Sequence, residues 1–215
     1  MNIASYIDHT NLKPTASETD IRQLCAEAWE HQFKAVCVAP SYASYAKNWL
    51  EGSSIALCTV IGFPLGYHTE TVKLKEAEQS LHDGATELDM VINISRFKSM
   101  AYLSVAHEIT QLCELVHQGG ALLKVIIETA YLDSFEIRTA CEICVDAQVD
   151  FVKTSTGFAP KGAEVETVKL IRSLLPSTMQ VKASGGIKTY EQAIAFIEAG
   201  ATRLGTSSGV ELVSN

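Results

Sequence analysis

Short apolar runs recur along the chain, separated by longer stretches in which apolar residues return every three or four positions. The runs are SYIDHT, KAVCVA, IALCTVIG, ELDMVI, LLKVIIET, DFVKTS, MQVKAS and TRLGTS. Runs this short, rich in Val and Ile and bounded by turn residues, read as buried strands. The segments between them, such as SETDIRQLCAEAWEHQ, HTETVKLKEAEQSLHDG, MAYLSVAHEITQLCELVHQGG and TYEQAIAFIEAG, read as amphipathic helices, several opened by Ser or Thr and closed by Gly. Strands alternating with helices predict a parallel sheet. Eight such units in 215 residues leave about 27 residues per unit, which predicts a closed α/β structure, the (β/α)8 TIM barrel. The rival is an open doubly wound sheet, but no GxGxxG follows the first strand. No linker or charge block divides the chain, so residues 1–215 read as a single barrel domain. In a barrel the chemistry sits at the C-terminal ends of the strands, which singles out the polar residues found there.

Charge narrows the choice of ligand. Seventeen Lys and Arg face 25 Asp and Glu, for a net charge of −8. That acidity argues against nucleic acid and anionic membranes as partners and favours a small molecule. With 47% hydrophobic and 20% charged residues, the composition is that of a folded globular chain, which excludes intrinsic disorder. No run approaches the roughly 20 apolar residues of a membrane helix, and the start MNIASYIDHT does not resemble a leader peptide, so a cytoplasmic protein is expected. Six cysteines, mostly in apolar segments, read as buried free thiols. The lone CxxC, Cys141 and Cys144, lacks a second pair and a nearby His, and reads as helix packing rather than a metal or redox site.

Two late strands end alike, in Val152-Lys153-Thr154-Ser155-Thr156-Gly157 and Val181-Lys182-Ala183-Ser184-Gly185-Gly186. The lysines are 29 residues apart, about one barrel unit, which puts them on neighbouring strands at similar height. Two close, partly buried ammonium groups should lower each other's pKa and leave one amine free to attack a carbonyl. The bland reading is a pair of strand-end lysines with solvated or paired heads. In ELDMV, the strand period puts Glu87 and Asp89 on one face, with Lys124 of the next strand as an available partner. Asp89 therefore reads either as half of a buried ion pair or as a general acid/base, and the two roles are compatible. Gly185-Gly186 after the seventh strand and Gly205-Thr206-Ser207-Ser208-Gly209 after the eighth offer backbone N–H groups and hydroxyls where barrels often hold a phosphate. Asp8, His9 and Thr10 end the first strand, either as turn residues or as hydrogen-bonding groups in the barrel mouth. Cys37 reads as a small core residue, and His31, His68, His82, His107 and His117 as surface residues without metal-ligand spacing.

Taken in order, IDHTNLKP, VCVAP, VIGFPLG, ELDMVINI, LKVIIET, FVKTSTGF, VKASGGI and RLGTSSG closely resemble the deoxyribose-phosphate aldolase family, over Ile7 to about Gly209. The resemblance implies a class I aldolase of deoxyribose phosphate catabolism. Such an enzyme reversibly cleaves 2-deoxy-D-ribose 5-phosphate to D-glyceraldehyde 3-phosphate and acetaldehyde, with no metal or cofactor. It implies Lys153 as the Schiff-base lysine, Lys182 as the neighbour that lowers its pKa, and Asp89 as the acid/base carboxylate working with a water and Thr10. It further implies substrate contacts from Cys37, Lys124 and Thr156, and a phosphate held by Gly157, Gly185, Gly186, Ser207 and Ser208. A homodimer is also implied. Two departures stand out. Longer family members end in a tail with a terminal Tyr, whereas this sequence stops at Glu211-Leu212-Val213-Ser214-Asn215, so that contribution is expected to be dispensable or the chain shortened. Phe158 also stands where some members carry a Lys, which predicts weaker phosphate selectivity. The alternatives are another Schiff-base aldolase barrel acting on a longer donor, and a sugar-phosphate binding barrel whose lysines only neutralise charge.

Overall fold

In the computed structural model, which describes residues 1–214, eight parallel strands close into a barrel in chain order. They are β1 (Ile7–Asn11), β2 (Ala35–Val38), β3 (Ala56–Ile61), β4 (Glu87–Val91), β5 (Leu122–Ile126), β6 (Phe151–Lys153), β7 (Gln180–Ser184) and β8 (Arg203–Thr206). β8 pairs back onto β1, with Asp8 opposite Gly205. The closed barrel expected from the eight apolar runs is therefore the one found. Each run forms its strand, although Ser5 and Tyr6 of the first run lie in a short 3-10 turn before β1.

The outer layer comprises α1 (Glu18–His31), α2 (Ala43–Leu50), α3 (Glu70–His82), α4 (Ile94–Lys98), α5 (Tyr102–Gln118), α6 (Ser134–Asp146), α7 (Val165–Leu174), α8 (Tyr190–Glu198) and α9 (Gly209–Val213). Local chemistry starts several of them. Ser17 with Asp20, Asp133 with Glu136, and Thr189 with Gln192 form reciprocal capping boxes at α1, α6 and α8. α1 ends at Gln32, whose left-handed backbone (φ 57°) stops the helix. The apolar stripes of these helices bury Ile21 and Leu24, Ile109 and Leu112, and Val168 and Ile171 against outward-facing strand residues such as Val36, Leu88 and Val152. Cys141 and Cys144 are buried free thiols on α6. One buried polar pair was not apparent from the pattern: Lys73 of α3 donates to Glu108 of α5 and to the Val91 carbonyl, each at 2.8 Å. No helix among the described residues is long and apolar enough to cross a membrane.

Inside the barrel the usual branched aliphatic layers give way to charge. Asp8, Glu87, Asp89, Lys124, Lys153, Lys182 and Arg203 all point inward and are buried. Phe151 lies among them, with the Lys124 ammonium 5.8 Å and the Arg203 guanidinium 5.3 Å from its ring centre.

Candidate active site

Strand register brings the lysines together. Lys153 of β6 lies directly opposite Lys182 of β7. Asp89 of β4 lies opposite Lys124 of β5. The side chains converge on one carboxylate: Asp89 Oδ2 accepts from Lys153 Nζ and from Lys182 Nζ, each at 2.7 Å, and Oδ1 accepts from Lys124 Nζ at 2.8 Å and from the Cys58 thiol at 3.1 Å. Burial opposes the charge on Asp89, but the ammonium groups of Lys124, Lys153 and Lys182 outweigh it and hold the carboxyl well below the usual range. The buried ion-pair reading of this residue thus has its geometry in place.

Asp8 is neither a cap nor a turn residue. It is fully buried, accepts a close hydrogen bond from Lys182, and takes a second from Arg203 at 2.6 Å. Arg203 also donates to Glu87 at 2.9 Å, and Lys124 lies 2.6 Å from the same residue. The Asp8 carboxyl is lowered to about 2, because Lys182, Lys124 and Arg203 overcome the desolvation that would raise it. The cluster holds three carboxylates against four cations. Arg203 and the pairing of Asp8 escape a sequence reading because their partners lie up to 195 residues away; the available signal was a charged residue within a strand that reads as buried.

The expected mutual lowering of the two lysine pKa values does not hold for Lys182. Burial disfavours its charge, but Asp8 and Asp89 more than compensate, and its pKa is raised. Proximity alone suggested repulsion, and the fold places carboxylates between the like charges. Becoming a neutral amine costs Lys182 two ion pairs, with Asp8 and Asp89, and costs Lys153 one. Lys153 is also the lysine of the pair that reaches open space. It lines a cavity of about 450 Å³ at the C-terminal end of the barrel, whereas Lys182 and Asp89 lie beneath the floor.

Thr10, Thr156, Gly157, Gly185, Gly186 and Ser207 line the same cavity. Thr10 Oγ1 donates to the Asp8 carbonyl at 2.8 Å, so its hydroxyl is partly committed to the strand end. The loops after β6 and β7 touch: a Cβ on Gly162 would fall 2.0 Å from the Gly185 carbonyl oxygen, and Gly185 itself has φ +88°. Glycine is required for this contact. Three expected substrate contacts do not reach the cavity. Cys37 is buried in a small cluster with Cys58 and Val60; Lys124 lies deeper, saturated by carboxylates; and the Ser208 N–H is committed to Thr206 Oγ1 at 2.9 Å. Conversely, Lys13 and Lys188 line the cavity and were not singled out in the sequence; Lys188, two residues after the double glycine, was the readable signal. Phe158 lines it too, packed edge-on against Phe63 at 5.3 Å between ring centres.

A metal has little room in the floor. Cys37, Cys58 and Asp89, and Asp8, Cys58 and Glu87, bring ligand atoms within 4.8 Å of one another. Their carboxylates already accept from Lys124, Lys153, Lys182 and Arg203, so a cation there would have to displace an ammonium or a guanidinium.

Residues 3–214 match the model of the DeoC/LacD family aldolases. The chain is 53% identical over 215 residues to a deoxyribose-phosphate aldolase of Thermococcus gammatolerans, covering 99% of this chain and 96% of that one. Among solved structures, a deoxyribose phosphate aldolase from Aeropyrum pernix, described as tetrameric, superposes with a TM-score of 0.92 at 39% identity, covering 99% of this chain and 89% of that chain. A putative deoxyribose-phosphate aldolase from Coccidioides immitis gives 0.96 at 42% identity, covering 99% and 85%. With a lysine-lined cavity at the mouth of a closed barrel and this likeness along its whole length, the chain belongs to the DeoC/LacD family of aldolases.

Proposed function

We propose that this chain, as one barrel domain, is a class I aldolase that reversibly cleaves 2-deoxy-D-ribose 5-phosphate to D-glyceraldehyde 3-phosphate and acetaldehyde. The observation that carries the proposal is Lys153 Nζ at the cavity floor, 2.7 Å from a carboxylate it shares with Lys182. Neutral Lys153 attacks the C1 aldehyde of the open-chain sugar, and loss of water gives an iminium. The C3 hydroxyl loses its proton, the C2–C3 bond breaks, and its electron pair moves into the iminium to give an enamine. D-Glyceraldehyde 3-phosphate leaves, a proton adds to the enamine carbon, and hydrolysis releases acetaldehyde and regenerates the amine.

Asp89, held as an anion, stabilises the cationic iminium nitrogen that replaces the Lys153 ammonium. Proton transfer runs through a water held by Asp89 and Thr10, with Lys182 as the neighbouring proton carrier. The phosphate lies at the far end of the cavity on Gly157, Gly185, Gly186 and Ser207, its charge met by Lys188 and Lys13. We also propose a cytoplasmic homodimer; the six free cysteines support a reducing compartment, and sedimentation velocity tests the dimer.

Borohydride trapping with acetaldehyde followed by peptide mapping tests the chemistry. N-ethylation at Lys153 and not at Lys182 is expected. Label at Lys182 would exchange their roles, and the absence of any specific label would sink the Schiff-base proposal.

A further inference from the structure

Glu128 lies just beyond β5, and its backbone is left-handed (φ 52°, ψ 69°), a conformation that costs a residue with a Cβ. Its neighbours hold it there: the Ile127 N–H donates to the Lys153 carbonyl at 3.1 Å, and the Thr129 N–H to the Thr154 carbonyl at 2.9 Å. The strained turn is thus bonded to the same stretch that carries Lys153. Glu128 Oε2 accepts the Thr156 N–H at 3.0 Å and a close hydrogen bond from the Thr156 hydroxyl. Thr156 Oγ1 in turn accepts the Phe158 N–H at 3.1 Å. Glu128 is 1% exposed, and its Oε1 is buried without a hydrogen-bond partner among the described residues. A carboxylate buried at this cost, on strained backbone, with one oxygen devoted to a single threonine, is more than a loop fastening.

A threonine hydroxyl has one proton and two lone pairs. The proton is spent on Glu128 and one lone pair on Phe158, which leaves a single acceptor position and no donor. Thr156 lines the cavity together with Lys153, the proposed Schiff-base lysine, and with its chain neighbour Gly157, part of the proposed phosphate site. We propose that Glu128 is a positioning residue that fixes the Thr156 hydroxyl as a pure acceptor, so that the site selects a substrate bearing a hydroxyl on the carbon next to the phosphate-bearing carbon. That hydroxyl is on C4 of deoxyribose 5-phosphate and on C2 of glyceraldehyde 3-phosphate. The inference rests on the aldolase function proposed above.

The test uses two acceptors condensed with acetaldehyde, glyceraldehyde 3-phosphate and 3-oxopropyl phosphate, which lacks the hydroxyl. The native chain prefers the hydroxylated acceptor. Glu128→Ala frees the Thr156 hydroxyl to rotate and donate, and lowers kcat/KM for glyceraldehyde 3-phosphate about tenfold while leaving 3-oxopropyl phosphate within about threefold. Glu128→Gln, whose amide oxygen accepts both Thr156 hydrogens, restores the preference. Thr156→Val removes the acceptor with Glu128 in place and lowers the ratio of kcat/KM for glyceraldehyde 3-phosphate over 3-oxopropyl phosphate about tenfold, whatever its effect on the absolute rates, so the idea stays testable if Glu128→Ala fails to fold. The double variant loses no more selectivity than either single one. Equal losses on both acceptors would reduce Glu128 to a structural role and overturn the inference, as would unchanged selectivity in the variants or a native chain indifferent to the hydroxyl. A native chain that forms no aldol product with either acceptor would instead overturn the aldolase reading itself.

Discussion

Replacing Asp89 by Asn keeps the shape of the side chain and removes the charge that three buried ammonium groups share. Lys153 loses its carboxylate partner at 2.7 Å, Lys182 keeps only Asp8, and Lys124 keeps Glu87 and a longer contact to Asp8 at 3.8 Å. The interior then holds two carboxylates against four cations. Breaking a buried ion pair by removing one partner costs about 3–5 kcal/mol. For a chain of this size each kcal/mol moves Tm by about 2–4 °C, so Asp89→Asn should melt about 10 °C below the native chain at neutral pH. The pH dependence separates charge from packing. In the native chain Lys124 and Lys182 have raised pKa values, so their contribution is complete below the unfolded lysine pKa of about 10.4 and is lost only above it. In Asp89→Asn an uncompensated buried ammonium has a depressed pKa in the folded state. It sheds its proton below pH 10.4, and the variant gains stability relative to the native chain as pH rises from 7 to 9.5. Thermal melts by circular dichroism at several pH values read both effects. A variant whose Tm lies within about 2 °C of native, or whose deficit is the same at every pH, would refute the idea that Asp89 is the counter-ion of the barrel interior.

Other consequences follow from the same geometry. Asp8 is lowered to about 2 and Asp89 also lies well below the usual range, so the stability they confer is present above pH ~4 and is lost as pH falls from about 4 towards 2; acid titration of unfolding checks this. Lys153→Met breaks one ion pair and should retain the fold while lowering kcat at least about 10³-fold; a variant that still traps acetaldehyde would contradict the assignment. Lys188→Ala should lower the preference for phosphorylated over unphosphorylated acceptors about tenfold, the worth of one charge-assisted hydrogen bond, and Phe158→Lys should raise it, both read as kcat/KM ratios. Gly205→Ala places a Cβ 2.9 Å from Ser184 Cβ and 3.1 Å from Lys182 Cε. It should cost about 1–3 kcal/mol in urea unfolding, and kcat should fall as Lys182 is displaced.

The sequence by itself determined the barrel. Short apolar runs and capped amphipathic segments are local patterns, and eight of them in series leave few ways to bury their faces. It also determined that Lys153, Lys182 and Asp89 share the interior, because strand periodicity and the spacing of one unit place their side chains on the inward face at the catalytic end. The glycine pairs were legible for the same reason, as turn chemistry after particular strands. Only the tertiary structure decided the electrostatics. Whether two neighbouring lysines repel or are held apart by carboxylates depends on β1, β4 and β8 meeting them across the barrel, and Asp8 lies 174 residues from Lys182 in the chain. The same closure put Cys37, Lys124 and Ser208 out of reach of the cavity and brought Lys13 and Lys188 into it. Charge interactions depend on distance and burial, which periodicity does not encode, so residue types at strand ends revealed the chemistry and the closed barrel decided which nitrogen a substrate can reach.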